Sequence, residues 1–259
     1  IDDYNKAIQF DPNNFIAYND RAIAKRYQGL LNDAIADLNR SIQIYSKDFE
    51  SYLNRGDIYT DLNKLEEAMC DYNEALRLNP NSFHVYVNRG YLKDKYLKDI
   101  SGAFQDYNQA IELHSDYAPA FLNRGGIKMI RFDFVGALAD FNRAIEIDPK
   151  IAEAYADRAY IKQQQGDPLG ALQDYNESIR LSPKNIECYR SRGLLLINQN
   201  KPEEAKMDFR QYLELTKNDT SPQMVCVDCP KLFSSLWLNP LWIYIRPCES
   251  TVYNICSGD

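Results

Sequence analysis

The sequence has few of the residues on which enzymes and membrane proteins most often depend. Its 259 residues include two histidines, His84 and His114, and contain neither a nucleophile elbow nor a glycine-rich phosphate loop. The nearest candidate for a membrane helix, residues 236–245, is too short to cross a bilayer and contains Asn239 and Pro240. These absences argue against an enzyme, a bound cofactor and a membrane-spanning protein.

Basic residues are in the minority. Lys and Arg total 30 against 37 Asp and Glu, which gives a formal net charge of -7. A nucleic-acid partner needs a positive surface, so this balance argues against one. It suits a basic or neutral protein partner, although a net charge of this size chiefly favours solubility.

Cysteine is scarce in most of the chain and concentrated near its end. Cys70 and Cys188 occur singly, which predicts small buried side chains in a reducing compartment and indicates a cytoplasmic location. The other four are Cys226, Cys229, Cys248 and Cys256. The first two have the spacing of a zinc knuckle, but the last two are separated by seven residues and do not form a second one. A zinc site and disulfides are the alternatives to free thiols, and no metal site is assigned.

A five-residue motif recurs along the chain at a nearly constant interval. Each copy runs from an aromatic residue to an Arg and a small residue, as in Phe121-Leu122-Asn123-Arg124-Gly125. The leading aromatics lie at positions 18, 52, 86, 121, 155 and 189, so the period is 34 residues with one step of 35. A fixed period of this size predicts a stacked repeat protein.

A second motif follows the first in every repeat. An alanine, at positions 34, 68, 103, 137, 171 and 205, is followed four residues later by Leu, Tyr or Phe. The spacings in both motifs place residues on one face of a helix, so each repeat is predicted to contain two helices. Small residues facing one another are expected to let the antiparallel helices approach closely, with the aromatics packed between layers. The extra residue of the third repeat falls in 95–102, at the turn between its helices.

This pattern resembles the tetratricopeptide repeat family. The resemblance covers about residues 1–217 and implies an all-α, right-handed superhelical solenoid of antiparallel helix pairs. Residues 1–14 match the second helix of a truncated repeat, so further repeats are expected before residue 1, and 15–217 hold six tandem repeats. The tail, 218–259, follows no repeat pattern. It is expected to be irregular or disordered, and a segment from alternative splicing is the alternative.

Two charged residues also recur with the period. The Arg of the first motif lies at positions 21, 55, 89, 124, 158 and 192, where many members of the family have an apolar residue. An Asp of the second helix lies at 37, 71, 106, 140, 174 and 208, with Asp3 in the truncated repeat. A partly buried guanidinium needs a carboxylate partner, which predicts a ladder of Arg–Asp pairs within or between adjacent repeats. Two rows of solvated charges are the alternative.

The resemblance further implies a binding face, because the first helices of this family line a concave groove. The residue before each Arg is expected to face that groove: Asp20, Asn54, Asn88, Asn123, Asp157 and Ser191. An asparagine amide carries both a donor and an acceptor, so an aligned series can hold the backbone of an extended peptide. The alternative is that these amides only satisfy neighbouring helix groups.

A carboxylate clamp of the kind found in chaperone-binding members is not matched by this sequence. The central asparagine of such a clamp is matched at Asn54, Asn88 or Asn123, but the flanking basic residues are not. Around Asn54, the preceding repeat has Asn19 and Ile23 where the clamp has Lys and Asn, and the following repeat has His84 and Asn88 where it has Lys and Arg. Without those cationic side chains, the site lacks the charged donors that would bind the two carboxylates of such a peptide terminus.

Taken together, these features predict a non-enzymatic scaffold or adaptor that holds an extended protein segment in the groove. One alternative is a structural component of a large cytoskeletal or ciliary assembly, which would use the outer faces and ends of the array. The other is the regulatory repeat region of a larger enzyme.

Overall fold

The structure, a computed structural model, describes residues 1–216 and contains thirteen α-helices and no strand within that range. The tail 218–259, with the Cys226–Cys229 spacing, lies outside the described residues. The helices are α1 (Asp2–Phe10), α2 (Phe15–Tyr27), α3 (Leu31–Ile44), α4 (Phe49–Asp61), α5 (Leu65–Leu78), α6 (Phe83–Leu92), α7 (Ile100–Leu113), α8 (Ala118–Ile130), α9 (Phe134–Ile147), α10 (Ala152–Gln164), α11 (Pro168–Leu181), α12 (Ile186–Asn198) and α13 (Pro202–Thr216).

The described residues form two compact units, one spanning residues 1–147 and the other beginning at residue 148. In the first unit, α1 is followed by the pairs α2/α3, α4/α5, α6/α7 and α8/α9, and each pair packs on the next. The second unit contains the pairs α10/α11 and α12/α13, which also pack on each other. Each unit is an all-α helical repeat array, which confirms the predicted fold class. Across residues 1–216, no helix is both long enough and apolar enough to cross a membrane.

The helices of a pair meet where a small residue of the first contacts an aromatic ring of the second. A Cβ atom added at Gly125 would lie 2.7 Å from Cε1 of Phe141, and one at Gly56 would lie 2.9 Å from Cε1 of Tyr72. Phe141 and Tyr72 are buried. The prediction from the sequence was that a second small residue would face each glycine. Instead, the aromatic ring of the second helix packs against the glycine and fills the space that a Cβ atom would occupy.

The extra residue of the third repeat is accommodated at the end of α6. Residues Lys93–Leu97 continue the helix as one π-helical turn, and Lys98 then takes a left-handed conformation with φ of 58°. The predicted insertion range, 95–102, therefore overlaps the observed position, which begins two residues earlier. A π turn can hold one more residue while the helix keeps its hydrogen bonding.

The turn between α8 and α9 has an unusual residue at its left-handed position. Gly29 and Gly166 take a positive φ in the corresponding turns of two other repeats, whereas Phe132 does so here with φ of 61°. The Phe132 side chain is 80% exposed. A bulky side chain makes this conformation unfavourable, and no burial compensates for it at this position.

The two cysteines of the array lie in different environments. Cys188 is buried, with its Sγ 3.1 Å from Oγ of Ser178, whereas Cys70 is exposed. The expectation of a small buried side chain is confirmed for Cys188 and wrong for Cys70. The reason is that Cys70 follows the buried Ala68 by two residues, which places it on the opposite side of α5.

Candidate functional site

The recurring Arg and Asp residues pair in every full repeat of the array. Each guanidinium donates through Nε and Nη2 to the two carboxylate oxygens of one Asp, with N–O distances of 2.5–3.0 Å. The pairs are Arg21–Asp37, Arg55–Asp71, Arg89–Asp106, Arg124–Asp140, Arg158–Asp174 and Arg192–Asp208. Both partners belong to the same repeat, so the bond joins its two helices. The predicted ladder is confirmed.

The third guanidinium nitrogen connects one repeat to the preceding one. Nη1 of Arg55 donates to Oδ1 of Asn39 at 2.7 Å, and Nη1 of Arg124 donates to Oδ1 of Asn108 at 2.9 Å. The same bond joins Arg21 to Asn5, Arg89 to Asn73 and Arg192 to Asn176. These asparagines were not predicted as partners of the ladder, although each follows the ladder Asp by two residues in a recurring Asp-x-Asn pattern.

In four repeats, a lysine one helical turn after the Arg pairs with the same carboxylate. The pairs are Lys25–Asp37, Lys93–Asp106, Lys128–Asp140 and Lys162–Asp174, at 2.7–2.8 Å. The second and sixth repeats have Tyr59 and Leu196 at that position. Their ladder carboxylates therefore depend on one cation, which makes these two repeats informative for mutagenesis.

The six predicted groove residues lie, half-buried, on α2, α4, α6, α8, α10 and α12. Two of the asparagines already make hydrogen bonds between these first helices. Asn54 donates from Nδ2 to Oδ1 of Asn19 at 2.9 Å, and Asn88 donates from Nδ2 to Oδ1 of Asp57 at 2.8 Å. Below, the term binding face denotes the side of α2, α4, α6 and α8 on which the asparagines lie, where the sequence predicts peptide contact.

The remaining polar groups on these positions differ from one another. Asn123 makes no side-chain hydrogen bond to any residue in 1–216, so both halves of its amide are available. The Oδ1 atoms of Asn54 and Asn88 likewise receive no donor from the described residues. In the second unit, Asp157 on α10 and Ser191 on α12 occupy the equivalent positions. The six positions therefore offer different chemistry, and their role as a peptide-binding series stays a prediction.

Asp57 connects α2, α4 and α6 on the binding face. Its carboxylate accepts hydrogen bonds from Tyr72 Oη at 2.8 Å, Asn88 Nδ2 at 2.8 Å and Arg26 Nη1 at 3.1 Å. Burial raises the pKa of the Asp57 carboxyl above its ordinary value, while these three hydrogen bonds act in the opposite direction. Arg26 also donates to Asp61 at 2.7 Å. The sequence does hold a signal for Asp57, because it is the only charged residue at this repeat position in the six repeats of 15–216.

Family models match three segments of the chain. A model described as TPR repeat matches residues 56–95, and a model described as tetratricopeptide repeat matches 152–185 and 186–219. The chain is a tetratricopeptide repeat protein. Repeats of this family form protein-interaction scaffolds that are in general non-catalytic, and the tetratricopeptide repeat fold implies protein partners. A search of curated proteins found no match.

Solved tetratricopeptide repeat structures share the fold. The Cut9–Hcn1 hetero-tetramer of the APC/C is similar with a TM-score of 0.75 and 15% identity; the match covers 84% of this chain and 43% of that one. PilF of Pseudomonas aeruginosa has a TM-score of 0.73 and 16% identity, covering 78% and 92% of the two chains. YrrB, described as a TPR protein with an unusual peptide-binding site, has a TM-score of 0.56 and 21% identity, covering 73% and 97%.

Proposed function

We propose that this chain is a non-enzymatic scaffold that holds an extended protein segment along the binding face of its first helices. The observation that supports this most directly is Asn123, whose amide has no internal hydrogen-bond partner within residues 1–216 and is half-buried on α8. A donor and an acceptor held side by side match the backbone of an extended peptide. The Oδ1 atoms of Asn54 and Asn88, which accept no hydrogen bond from residues 1–216, extend the row of asparagines from α8 to α6 and α4.

The Arg–Asp ladder supports this proposal because it leaves the neighbouring position available. Arg124 is committed to Asp140 and Asn108, whereas Asn123 is the adjacent residue on the same helix. Successive residues of a helix point in directions about 100° apart, so a structural side chain and a binding side chain can alternate without conflict. Binding would be modest for each repeat and would accumulate along the row.

The proposal is tested with peptides selected from a displayed random library on the purified chain. Binding of the selected peptides is measured by fluorescence anisotropy for the natural sequence, Asn123→Ala and Asn32→Ala. Asn32 is an exposed asparagine on α3, a second helix, and serves as the matched control. Loss of a bidentate backbone contact is expected to weaken binding by about 1–3 kcal/mol in Asn123→Ala only. Equal affinities of all three proteins would contradict the proposal.

A structural role inside a large assembly is a second candidate, favoured by a different observation. Phe132, at the turn between α8 and α9, is 80% exposed, and Val135, in the first turn of α9, is 78% exposed. Exposed apolar side chains at such a turn suit contacts made by the outer edges of the array. An assembly partner that binds Asn123→Ala normally but fails to bind Phe132→Ser would favour this second candidate.

A further inference from the structure

The binding face changes its chemistry between α4 and α8. On α8, the residues three, four and seven positions after Asn123 are Gly126, the buried Ile127 and Ile130, and none is charged. The two cations of this helix, Arg124 and Lys128, are both paired with Asp140. This part of the face is therefore apolar apart from the asparagine amide.

Gly126 leaves open space on this face. A Cβ atom added there would meet no heavy atom within 4 Å, in contrast to the neighbouring Gly125, whose added Cβ would clash with the ring of Phe141. Packing therefore requires a glycine at 125 but not at 126. Glycine is the least favourable residue in a helix interior apart from proline, so its presence at 126 is not explained by the stability of α8.

Exposed apolar side chains occupy the position equivalent to Gly126 on α6 and the next turn of α8. Tyr91 occupies the position on α6 that Gly126 occupies on α8, and these two helices pack on each other. Ile130 lies one turn along α8 from Gly126. Tyr91 is 41% exposed and Ile130 is 59% exposed, so both present apolar surface that a bound side chain would cover.

Two helices away, the same face is acidic. Asp57 and Asp61 share one cation, Arg26, and Asp20 on α2 has no ion pair within residues 1–216. This end of the binding face therefore has three carboxylates and one guanidinium, which gives it a net negative charge. The Oδ1 atom of Asn54, which also accepts no hydrogen bond from the described residues, adds a further acceptor there. This end is complementary to a partner that carries cationic donors.

We infer that the occupant of this face is an extended protein segment with one large apolar side chain seated over Gly126 and basic residues toward α4 and α2. This inference rests on the proposed function and specifies its partner class. Neighbouring helices pack at about 8–10 Å, so α4 lies roughly 16–20 Å from α8. An extended chain advances about 3.3 Å per residue, which places the basic residues about five or six positions from the apolar one.

Gly126→Leu tests the apolar part of this inference. The leucine fills the open space without touching the packed side of α8, so the melting temperature is expected to stay the same or rise. Binding of the library-selected peptides is expected to weaken at least tenfold. Gly126→Ala, a smaller change at the same position, is expected to weaken binding less and provides the comparison if the leucine variant does not fold.

Asp20→Lys tests the basic part, with Asp33→Lys as the matched control. Asp33 lies exposed on α3, a second helix, so the two variants change the net charge equally. Only Asp20→Lys is expected to weaken binding several-fold and to reduce its dependence on salt. The selected peptides are expected to share Lys or Arg at the predicted distance from a Leu, Phe, Met or Trp.

The outcomes separate this inference from the proposed function. Peptides that lose affinity for Asn123→Ala but bind Gly126→Leu as well as they bind the natural chain would overturn the inference and leave the function standing. Peptides that are indifferent to Asn123→Ala would remove the proposed function itself. A selected set without basic residues, or one that binds Asp20→Lys and Asp33→Lys equally, would overturn the charge assignment.

Discussion

The adjacent glycines of α8 provide a direct measurement of how closely the two helices of a pair approach. We predict that Gly125→Ala destabilises the fold relative to Gly126→Ala by about 1–3 kcal/mol, the usual cost of overpacking a core. The added Cβ at 125 would lie 2.7 Å from Cε1 of Phe141, whereas ordinary contact begins near 3.4 Å. The ring would have to move by about 0.7 Å in a fully buried position.

Both substitutions gain the same helix propensity, so their difference isolates the packing term. Replacing glycine by alanine in a helix interior is worth about 1 kcal/mol. Gly126→Ala is therefore expected to stabilise the protein by about that amount, because its Cβ meets open space. The net change for Gly125→Ala is expected to lie between neutral and about 2 kcal/mol of destabilisation.

The assay is urea unfolding followed by far-ultraviolet circular dichroism, with amide hydrogen exchange of α8 and α9 as a second readout. The exchange measurement is needed because repeat arrays do not always unfold in a single step. Equal stabilisation by the two alanines would refute the reasoning. A smaller ring provides a further check, since the first repeat combines Ala22 with Leu38 at the corresponding positions. Phe141→Leu should reduce the penalty of Gly125→Ala in a double-mutant cycle.

Three further predictions use other parts of the array. Arg55→Ala leaves its ladder carboxylate without a cation and should cost roughly 2–3 kcal/mol, whereas Arg124→Ala should cost about 1 kcal/mol less because Lys128 remains on the carboxylate; equal urea midpoints would contradict this. Phe132→Gly should raise the melting temperature, since it relieves a left-handed conformation worth about 1 kcal/mol, and a lower melting temperature would argue against strain. Because the pKa of Asp57 is raised in the folded state, the folded protein keeps the proton on this carboxyl to a higher pH than the unfolded chain does. The contribution of Asp57 to the free energy of unfolding therefore falls as the pH rises from the ordinary pKa of an Asp to the raised pKa. The free-energy gap between the natural protein and Asp57→Ala should narrow across that window, and a gap that widens would contradict the assignment.

The features predicted correctly from the sequence are those that every repeat must satisfy. The aromatic, the Arg and the small residue recur because the same helix crossing and the same ion pair are built six times. The Arg–Asp pairing followed from a physical requirement, since a guanidinium that is only 17–20% exposed needs a carboxylate beside it. The contact of each glycine with a ring was missed because a spacing shows which residues share a face but not which side chains meet across it.

The candidate site was less predictable because its chemistry depends on residues that do not repeat. Asn54, Asn88 and Asn123 occupy equivalent positions, but their surroundings differ. The first meets Asn19 and the second meets Asp57, and each of those partners occurs once at its repeat position among the six repeats of 15–216. The prediction from the repeat pattern considered only the shared position, not these different neighbours, and so gave all six residues the same role.

In the proposed function, the ladder and the binding face use neighbouring residues of the same motif, so stability and recognition depend on different side chains. Arg124 fixes the crossing of α8 and α9, while Asn123 and Gly126 lie on the face that the crossing leaves free. Substitutions on that face are expected to change what the array can bind without removing a bond of the ladder. In this way α4 can present carboxylates and α8 an apolar surface although both helices belong to pairs of the same geometry. The specificity of this chain should therefore be sought in residues that break the repeat, with Asp57 and Gly126 the first two to test.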